Sequence, residues 1–306
     1  MTIRKPARVV PAISYRSPSG GGGSHDVTVA TALLRRIQRL QRSLDHTLLA
    51  LSRTVTPGAV HRARTAARRL RAVLCAFKQA LNPAALHRYS TALQQLARDL
   101  DAVREADVTQ QTTSILSKKH REWSRDTRNG LNSVVKKERS LAVRDLKSAM
   151  KADAWTARLL MLRYLALDPG LITDTQKPMT SLTQQVLKRH RRRLRTALRY
   201  RGHAARRLHK IRLQIKILRY LLEQCESTRS NMAYEEIKQL RRLQECLGDL
   251  HDAWCLKRAL KRHPDNRRAR IDLFADMKTR SPGLLHRFRK RRKELRRLWR
   301  AKKNTD

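Results

Sequence analysis

The chain has 306 residues, with 70 Lys and Arg against 25 Asp and Glu, a formal net charge of +45, 40% hydrophobic residues and only 4% aromatic ones. That apolar share can build a core, so most of the chain is not an unfolded basic tail, and the length fits one large domain or two smaller ones. So positive a body resists compaction by self-repulsion, and a polyanion (nucleic acid, an anionic membrane or a chain of phosphates) is the simplest source of relief.

Residues 1–26 carry three prolines and the run Gly20-Gly21-Gly22-Gly23-Ser24, which reads as a flexible tail or linker. They hold no hydrophobic signal core. Beyond them Gly and Pro are rare and well spaced, and the segments between are rich in Leu, Ala, Arg, Gln and Lys, all good helix formers. The punctuation predicts helices over 27–53, 57–81, 83–117, 119–150, a short one near 154–167, then 180–201, 203–227, 231–262 and 283–302. The fold class is all-α. The longest greasy stretch, Leu159 to Leu167, is broken by Arg163, so no transmembrane helix is expected. Cys75, Cys225, Cys246 and Cys255 occur singly, which points away from disulfides or a zinc ribbon and towards a cytoplasmic protein.

The chain repeats itself. His61-Arg62-Ala63-Arg64-Thr65-Ala66-Ala67-Arg68-Arg69-Leu70-Arg71 and His209-Lys210-Ile211-Arg212-Leu213-Gln214-Ile215-Lys216-Ile217-Leu218-Arg219 share H-x-x-R-x-x-x-[RK]-x-L-R, half a chain apart. Leu100-Asp101-Ala102-Val103-Arg104-Glu105-Ala106 matches Leu247-Gly248-Asp249-Leu250-His251-Asp252-Ala253 at nearly the same offset. Upstream, Arg39 to Leu44 loosely matches Arg189 to Leu194. Matches in one order at one spacing argue for duplication. The expected architecture is two tandem four-helix bundles about a pseudo-twofold axis, with a basic groove or channel between them: repeat one over 27–150, a connector over 151–179 and repeat two over 180–302.

At about 100° per residue, with His61 at zero, Arg64, Arg68, Arg71 and Lys78 fall within about 260–340°, beside an apolar stripe of Ala63, Ala67, Leu70, Leu74, Phe77 and Leu81. His209, Arg212, Lys216 and Arg219 take the same angles in the second copy, beside Ile211, Ile215, Leu218, Leu222 and Cys225. Arg62 and Arg69 lie elsewhere and read as solvated surface. A cation bordering a core cannot swing freely into bulk water, and several together repel unless an anion joins them. Arginines can grip phosphates by bidentate charge-assisted hydrogen bonds, and histidine can donate to them. The plainer alternative is that such arginines only solubilise amphipathic helices.

These paired segments resemble the CHAD family of histidine-bearing helical domains, over residues 27–302. The resemblance implies a duplicated helical fold around a basic central channel that binds inorganic polyphosphate, and a place on polyphosphate or other storage granules. By that resemblance His61, Arg64, Arg68, Arg71, His209, Arg212, Lys216 and Arg219 line the channel, with Arg39, Arg42, Arg189 and Arg192 behind them. The family's Leu-Gly-x-x-Arg-Asp segment is altered here: Asp101 replaces Gly and Glu105 replaces Asp in copy one, and His251 replaces Arg in copy two. These positions are expected to tie helices together by ion pairs. Some family members carry a triphosphate-tunnel domain, but its E-x-E-x-K pattern is missing.

Catalytic signals are weak. His251-Asp252 is an isolated HD dipeptide. Cys246, His251 and Cys255 on one helix are turned from Cys246 by about 140° and 180°, so the three cannot converge on one zinc ion. No metal, cofactor or enzymatic activity is expected. Trp123, Trp155, Trp254 and Trp299 are too scattered for a base-stacking platform and are read as core or rim. The last helix, from Arg287 to Lys303, is dense in Arg and Lys. The leading expectation is a non-enzymatic polyphosphate binder, and its rival is a non-specific nucleic-acid-binding helical protein.

Overall fold

The computed structural model describes residues 28–173, 178–200, 202, 204–224, 231–263 and 266–303. Residues 1–26, read above as a tail, and Cys225 lie outside them. The described residues form α1 (Val29–Arg53), α2 (Pro57–Ala76), α3 (Pro83–Asp99), α4 (Asp101–Lys119), α5 (Arg125–Lys151), α6 (Asp153–Tyr164), α7 (Met179–Ala197), α8 (Ala205–Gln224), α9 (Asn231–Lys261) and α10 (Arg267–Lys303). No strand occurs among them, so the fold is all-α as expected.

Several helix starts are written in the local sequence. Thr56 Oγ1 accepts from Ala59 N at 3.2 Å, with Pro57 at the first helical position of α2. Asn82 Oδ1 accepts from Ala84 N at 2.9 Å and Ala85 N at 3.1 Å ahead of Pro83. Ser124 caps α5 through Thr127 N at 3.1 Å. A polar cap satisfies amide groups that no helical carbonyl reaches, and proline's missing N–H costs nothing in the first turn.

Several boundaries differ from the sequence expectation, among them the start of α5 at Arg125 rather than 119 and the end of α7 at Ala197 rather than 201. The predicted helix 83–117 is two helices broken at the fully buried Leu100, and the break sets Asp101 in the first turn of α4. Helix 57–81 ends at Ala76. Phe77 is fully buried, residues Lys78–Ala80 form a 3-10 turn, and the backbone then bonds to the connector through Asn82 N to Leu171 O (2.9 Å) and Thr173 N to Ala80 O (3.0 Å). The final helix begins at Arg267 rather than 283 and runs straight through Pro282. Proline inside a helix costs about 3 kcal/mol. Packing on both sides outweighs it here: Ala269 and Leu273 are buried before it, and Leu284, Phe288, Leu295 and Trp299 after it.

The two hydrophobic clusters cut across the halves of the sequence. The larger one joins α1, α2, α3 and α6 to α7, α8, the first part of α9 and the last part of α10. The smaller joins Leu116, Trp123, Leu131, Val134 and Val135 to Leu256, Ala259, Leu260, Ala269 and Leu273. Helices meet across the halves mainly as counterparts: α1 with α7, α2 with α8, α4 with α9 and α5 with α10. Trp123, Trp155 and Trp299 are all buried.

Arg191, Glu236 and Trp299 form the main polar lock of the second half. Glu236 is 2% exposed and accepts both guanidinium bonds of Arg191 (2.9 and 2.7 Å) and the indole N–H of Trp299 (2.8 Å). One carboxylate thus joins α7, α9 and α10. Glu236→Leu leaves the half-buried Arg191 and the buried indole N–H of Trp299 without their partner and is expected to destabilise the protein by about 3 kcal/mol, measured by urea denaturation. Glu223→Gln, in a more exposed pair, is expected to cost about 1 kcal/mol or less.

Candidate functional site: a cationic seam between two matching helices

The alanines of the first motif let α2 pack closely. Ala63, Ala66, Ala67 and Leu70 are buried, as are Ile211, Ile215 and Leu218 on α8. With these apolar stripes inside and α2 packed against α8, the cations bordering each stripe are brought to one seam.

Their mutual repulsion shows that they are close. The Lys216 ammonium is pushed down from 10.5 to about 7 by burial, then by Arg212, Arg68, Arg64 and Arg219. Burial, followed by Arg64, lowers Arg68 to about 10, and Arg212 adds to this from the other helix. His61 is lowered by burial, Arg104, Arg64, Lys216 and Arg62, and His209 by burial, Arg212, Lys216, Arg68 and Arg64. Six of the sequence-predicted residues, His61, Arg64, Arg68, His209, Arg212 and Lys216, therefore share one electrostatic environment. Among the described residues, no carboxylate forms an ion pair with Lys216, Arg212, His61 or His209. His209 Nδ1 and Arg212 Nε are buried and bond to no protein atom.

The matched second segments stand behind this seam. Asp101 binds Arg64 Nε and lies 3.5 Å from Arg68. Glu105 pairs with Arg258. These two replacements tie helices together, as the sequence reading expected. Arg104 and His251 do something else. Arg104 adds its charge to His61, and it feels Arg64 and Asp252. The His251 ring lies 4.9 Å from that of His209, and burial, then Arg212 and His209, push it to about 3. Both belong to the cationic cluster. Their signal in the sequence is their place in the second repeated segment, where Arg104 carries no assigned role and His251 reads as a helix-tying position, with an HD dipeptide and a zinc ligand as weak alternatives.

The ends of the motifs turn away to neighbouring helices. Arg71 donates to Gln94 at 2.7 Å, and its counterpart Arg219 donates to Gln244 at 3.2 Å and pairs with Glu223 at 2.6 Å. Arg69, read above as solvated, instead spans the seam: it lies 3.5 Å from Glu223 and 5.4 Å over the Tyr220 ring, which Arg219 also faces at 5.0 Å. The angular reading erred because α8 packs over that flank of α2 as well. Arg62 is exposed. Of the residues placed behind the motifs, Arg189 donates to the Ala76 carbonyl at the end of α2 (2.6 Å), while Arg39, Arg42 and Arg192 are exposed on α1 and α7. None of these four is among the charges named above as acting on the seam.

Two cavities lie elsewhere. One of about 280 Å³ between α4, α5 and α9 is lined by Glu105, Glu138, Arg258 and Arg262, which pair among themselves. The other, about 410 Å³ between α9 and α10, is lined by Arg242, Arg287, Lys290 and Arg291 with Glu245 and Asp249. Among the described residues no group of three His, Cys, Asp or Glu side chains is arranged to hold a metal ion. His251 and Cys255 do meet, at 3.6 Å, one helical turn apart. No described helix is long and apolar enough to cross a membrane.

The strain at Lys216 has a measurable sign. Its folded-state pKa, about 7, lies below the ordinary 10.5. Below pH 7 both states hold the proton and the full penalty of the buried charge is present. Between these values only the unfolded chain holds it, so this group's cost fades as pH rises. Lys216→Met is expected to stabilise the ligand-free protein at pH 6 by at least about 1 kcal/mol, with the gain shrinking towards pH 10, read from thermal melts across that range.

Comparison with known proteins agrees with this architecture. Among solved structures, the crystal structure of the CHAD domain from the plant Ricinus communis superposes with a TM-score of 0.70 and 21% identity, over 87% of this chain and 92% of that one. PptA from Streptomyces chartreusis superposes with a TM-score of 0.65 and 16% identity, over 89% and 99%. No curated protein matches this sequence. The family model of the CHAD domain matches residues 31–261, which hold both motif copies and every member of the seam, and the chain belongs to the CHAD domain family.

Proposed function

We propose that this protein binds inorganic polyphosphate along the α2–α8 seam, without turning it over. The observation that carries the reading is the convergence of His61, Arg64, Arg68, His209, Arg212 and Lys216 from two matching helices, where burial and neighbouring cations depress the protonation of His61, Arg68, His209, Arg212 and Lys216. The counterpart packing of helices across the halves supports the duplicated, pseudo-twofold arrangement with a basic channel at its axis. A phosphate chain supplies about one negative charge per unit, closely spaced, and so can answer several clustered cations at once. Arginines grip its oxygens bidentately, while the histidines and Lys216 donate and regain their protons. Arg71 and Arg219, at the motif ends, and the exposed Arg39, Arg42 and Arg192 extend the basic track for a longer polymer. Arg189 supports the end of α2. Attachment to polyphosphate granules follows from such binding.

Among the described residues no group is arranged to hold a metal ion, and burial pushes the Cys255 thiol beside His251 up to about 11, away from a thiolate, so binding is the chemistry these side chains support best. The rival ligand is nucleic acid, favoured by the net charge of +45 and the basic α10. Its charges are more widely spaced than those of polyphosphate, and the buried tryptophans offer no stacking platform.

Affinity for long-chain polyphosphate is expected to exceed that for orthophosphate by orders of magnitude and to fall steeply with salt, as counterions are released on binding. Equal affinities in calorimetric titrations would end this reading, and displacement by duplex DNA at matched charge would favour the rival. His61→Ala with His209→Ala, and Arg68→Ala with Lys216→Ala, are each expected to weaken binding by at least about tenfold. Lys210→Ala, which removes an exposed charge that acts on no seam residue, is expected to change it by less than about threefold.

Binding should also take up protons. A polyanion raises the depressed Lys216 from about 7 back towards 10.5, so affinity weakens as pH rises between those values. The histidines act in the same direction at lower pH, strengthening binding as pH falls through their range. Titration in buffers of different ionisation heat measures that uptake, and its absence would mean that the ligand sits away from the seam.

A further inference from the structure

The two copies of the seam are not equivalent. In the second half, Gly248 sits beside Arg212: a Cβ built there would stand 3.8 Å from the guanidinium, and Arg212 feels the Asp252 carboxylate but makes no ion pair with it among the described residues. In the first half the matching position is Asp101. Its carboxylate binds Arg64 Nε and approaches Arg68 at 3.5 Å, through the same oxygen. The Asp101 side chain remains 41% exposed, so it stands at the mouth of the site rather than deep in the core. It is also the first residue of α4, where the amide ends of the helix favour negative charge.

We propose that Asp101 is a built-in competitor for the anionic ligand, holding Arg64 and Arg68 until a phosphate chain displaces it, so that the first half loads less readily than the second. This deepens the polyphosphate reading and rests on it. A guanidinium offers five donors in a fixed fork, and those spent on Asp101 are withheld from an incoming phosphate. The carboxylate also repels that phosphate at close range. Being fixed to α4, it acts at a high effective concentration that dilution cannot reduce. In exchange it separates two arginines that would otherwise repel each other in the empty protein. Removing it should therefore move two properties in opposite directions: weaker folding without ligand, and tighter binding with it. A residue that merely braced the fold would weaken both.

The test compares wild type, Asp101→Asn, Asp101→Gly and Asp145→Asn. Asp145 is about 71% exposed, lies on α5, and its recorded ion pair is a 3.6 Å contact to the neighbouring Arg144, so its substitution matches the change in net charge away from the seam. Long-chain polyphosphate is titrated calorimetrically, and thermal melts are recorded with and without sulfate. Asp101→Asn and Asp101→Gly are expected to bind polyphosphate about 3–10-fold tighter than wild type and to melt at a lower temperature when empty. Asp145→Asn is expected to stay within about twofold on binding and to melt as wild type does. Binding by the Asp101 variants that is unchanged or weaker, or no tighter than by Asp145→Asn, overturns the proposal. If no variant binds polyphosphate, the polymer reading fails by itself, and the competitor role is decided on sulfate. A larger sulfate-induced rise in melting temperature for Asp101→Asn than for Asp145→Asn upholds it, and equal rises overturn it.

Discussion

The structure turns on repulsion between like charges held beside an apolar contact. Ala63, Ala67 and Leu70 on α2 and Ile211, Ile215 and Leu218 on α8 are buried. The residues next to them on each helix are cations, so burial of one set brings the other together. A lysine pushed to about 7 and an arginine pushed to about 10 record what that costs the ligand-free protein. Such strain persists only where the surrounding packing overrides it, and it is typical of sites whose electrostatics are completed by another molecule.

The surrounding packing is correspondingly firm. Glu236 fastens three helices through Arg191 and Trp299, Gln41 bonds to the turn after α6 through Ala166 N at 3.1 Å, and Arg292 and Arg296 of α10 donate to the Tyr200 and Leu198 carbonyls just past the end of α7. The pairs Arg71–Gln94 and Arg219–Gln244 brace the two motif helices against their neighbours in parallel fashion. These neutral or satisfied contacts leave the seam as a place where cations outnumber the carboxylates that meet them.

Much of this was legible in the residues. Helix composition and the spacing of Gly and Pro marked out most elements, because caps such as Thr56-Pro57 and Asn82-Pro83 act locally. The H-x-x-R-x-x-x-[RK] repeat pointed to six side chains that the fold brings together. What was not legible depended on partners distant in sequence. Pro282 is carried inside α10 by packing on either side of it, and the break at Leu100 follows from burial of that residue. Arg69 was placed on the wrong side because its angle on α2 says nothing of where α8 lies. Arg104 and His251 were set aside because, on their own helices, nothing marks them as facing the motif.

The way the hydrophobic clusters cross the chain has a consequence for how the molecule is made. Each cluster draws on both ends of the sequence, so a nascent chain that has released only α1 to α6 holds two incomplete interiors and no finished one. A fragment ending before α7 would therefore present greasy surface to a chaperone or to a second copy of itself.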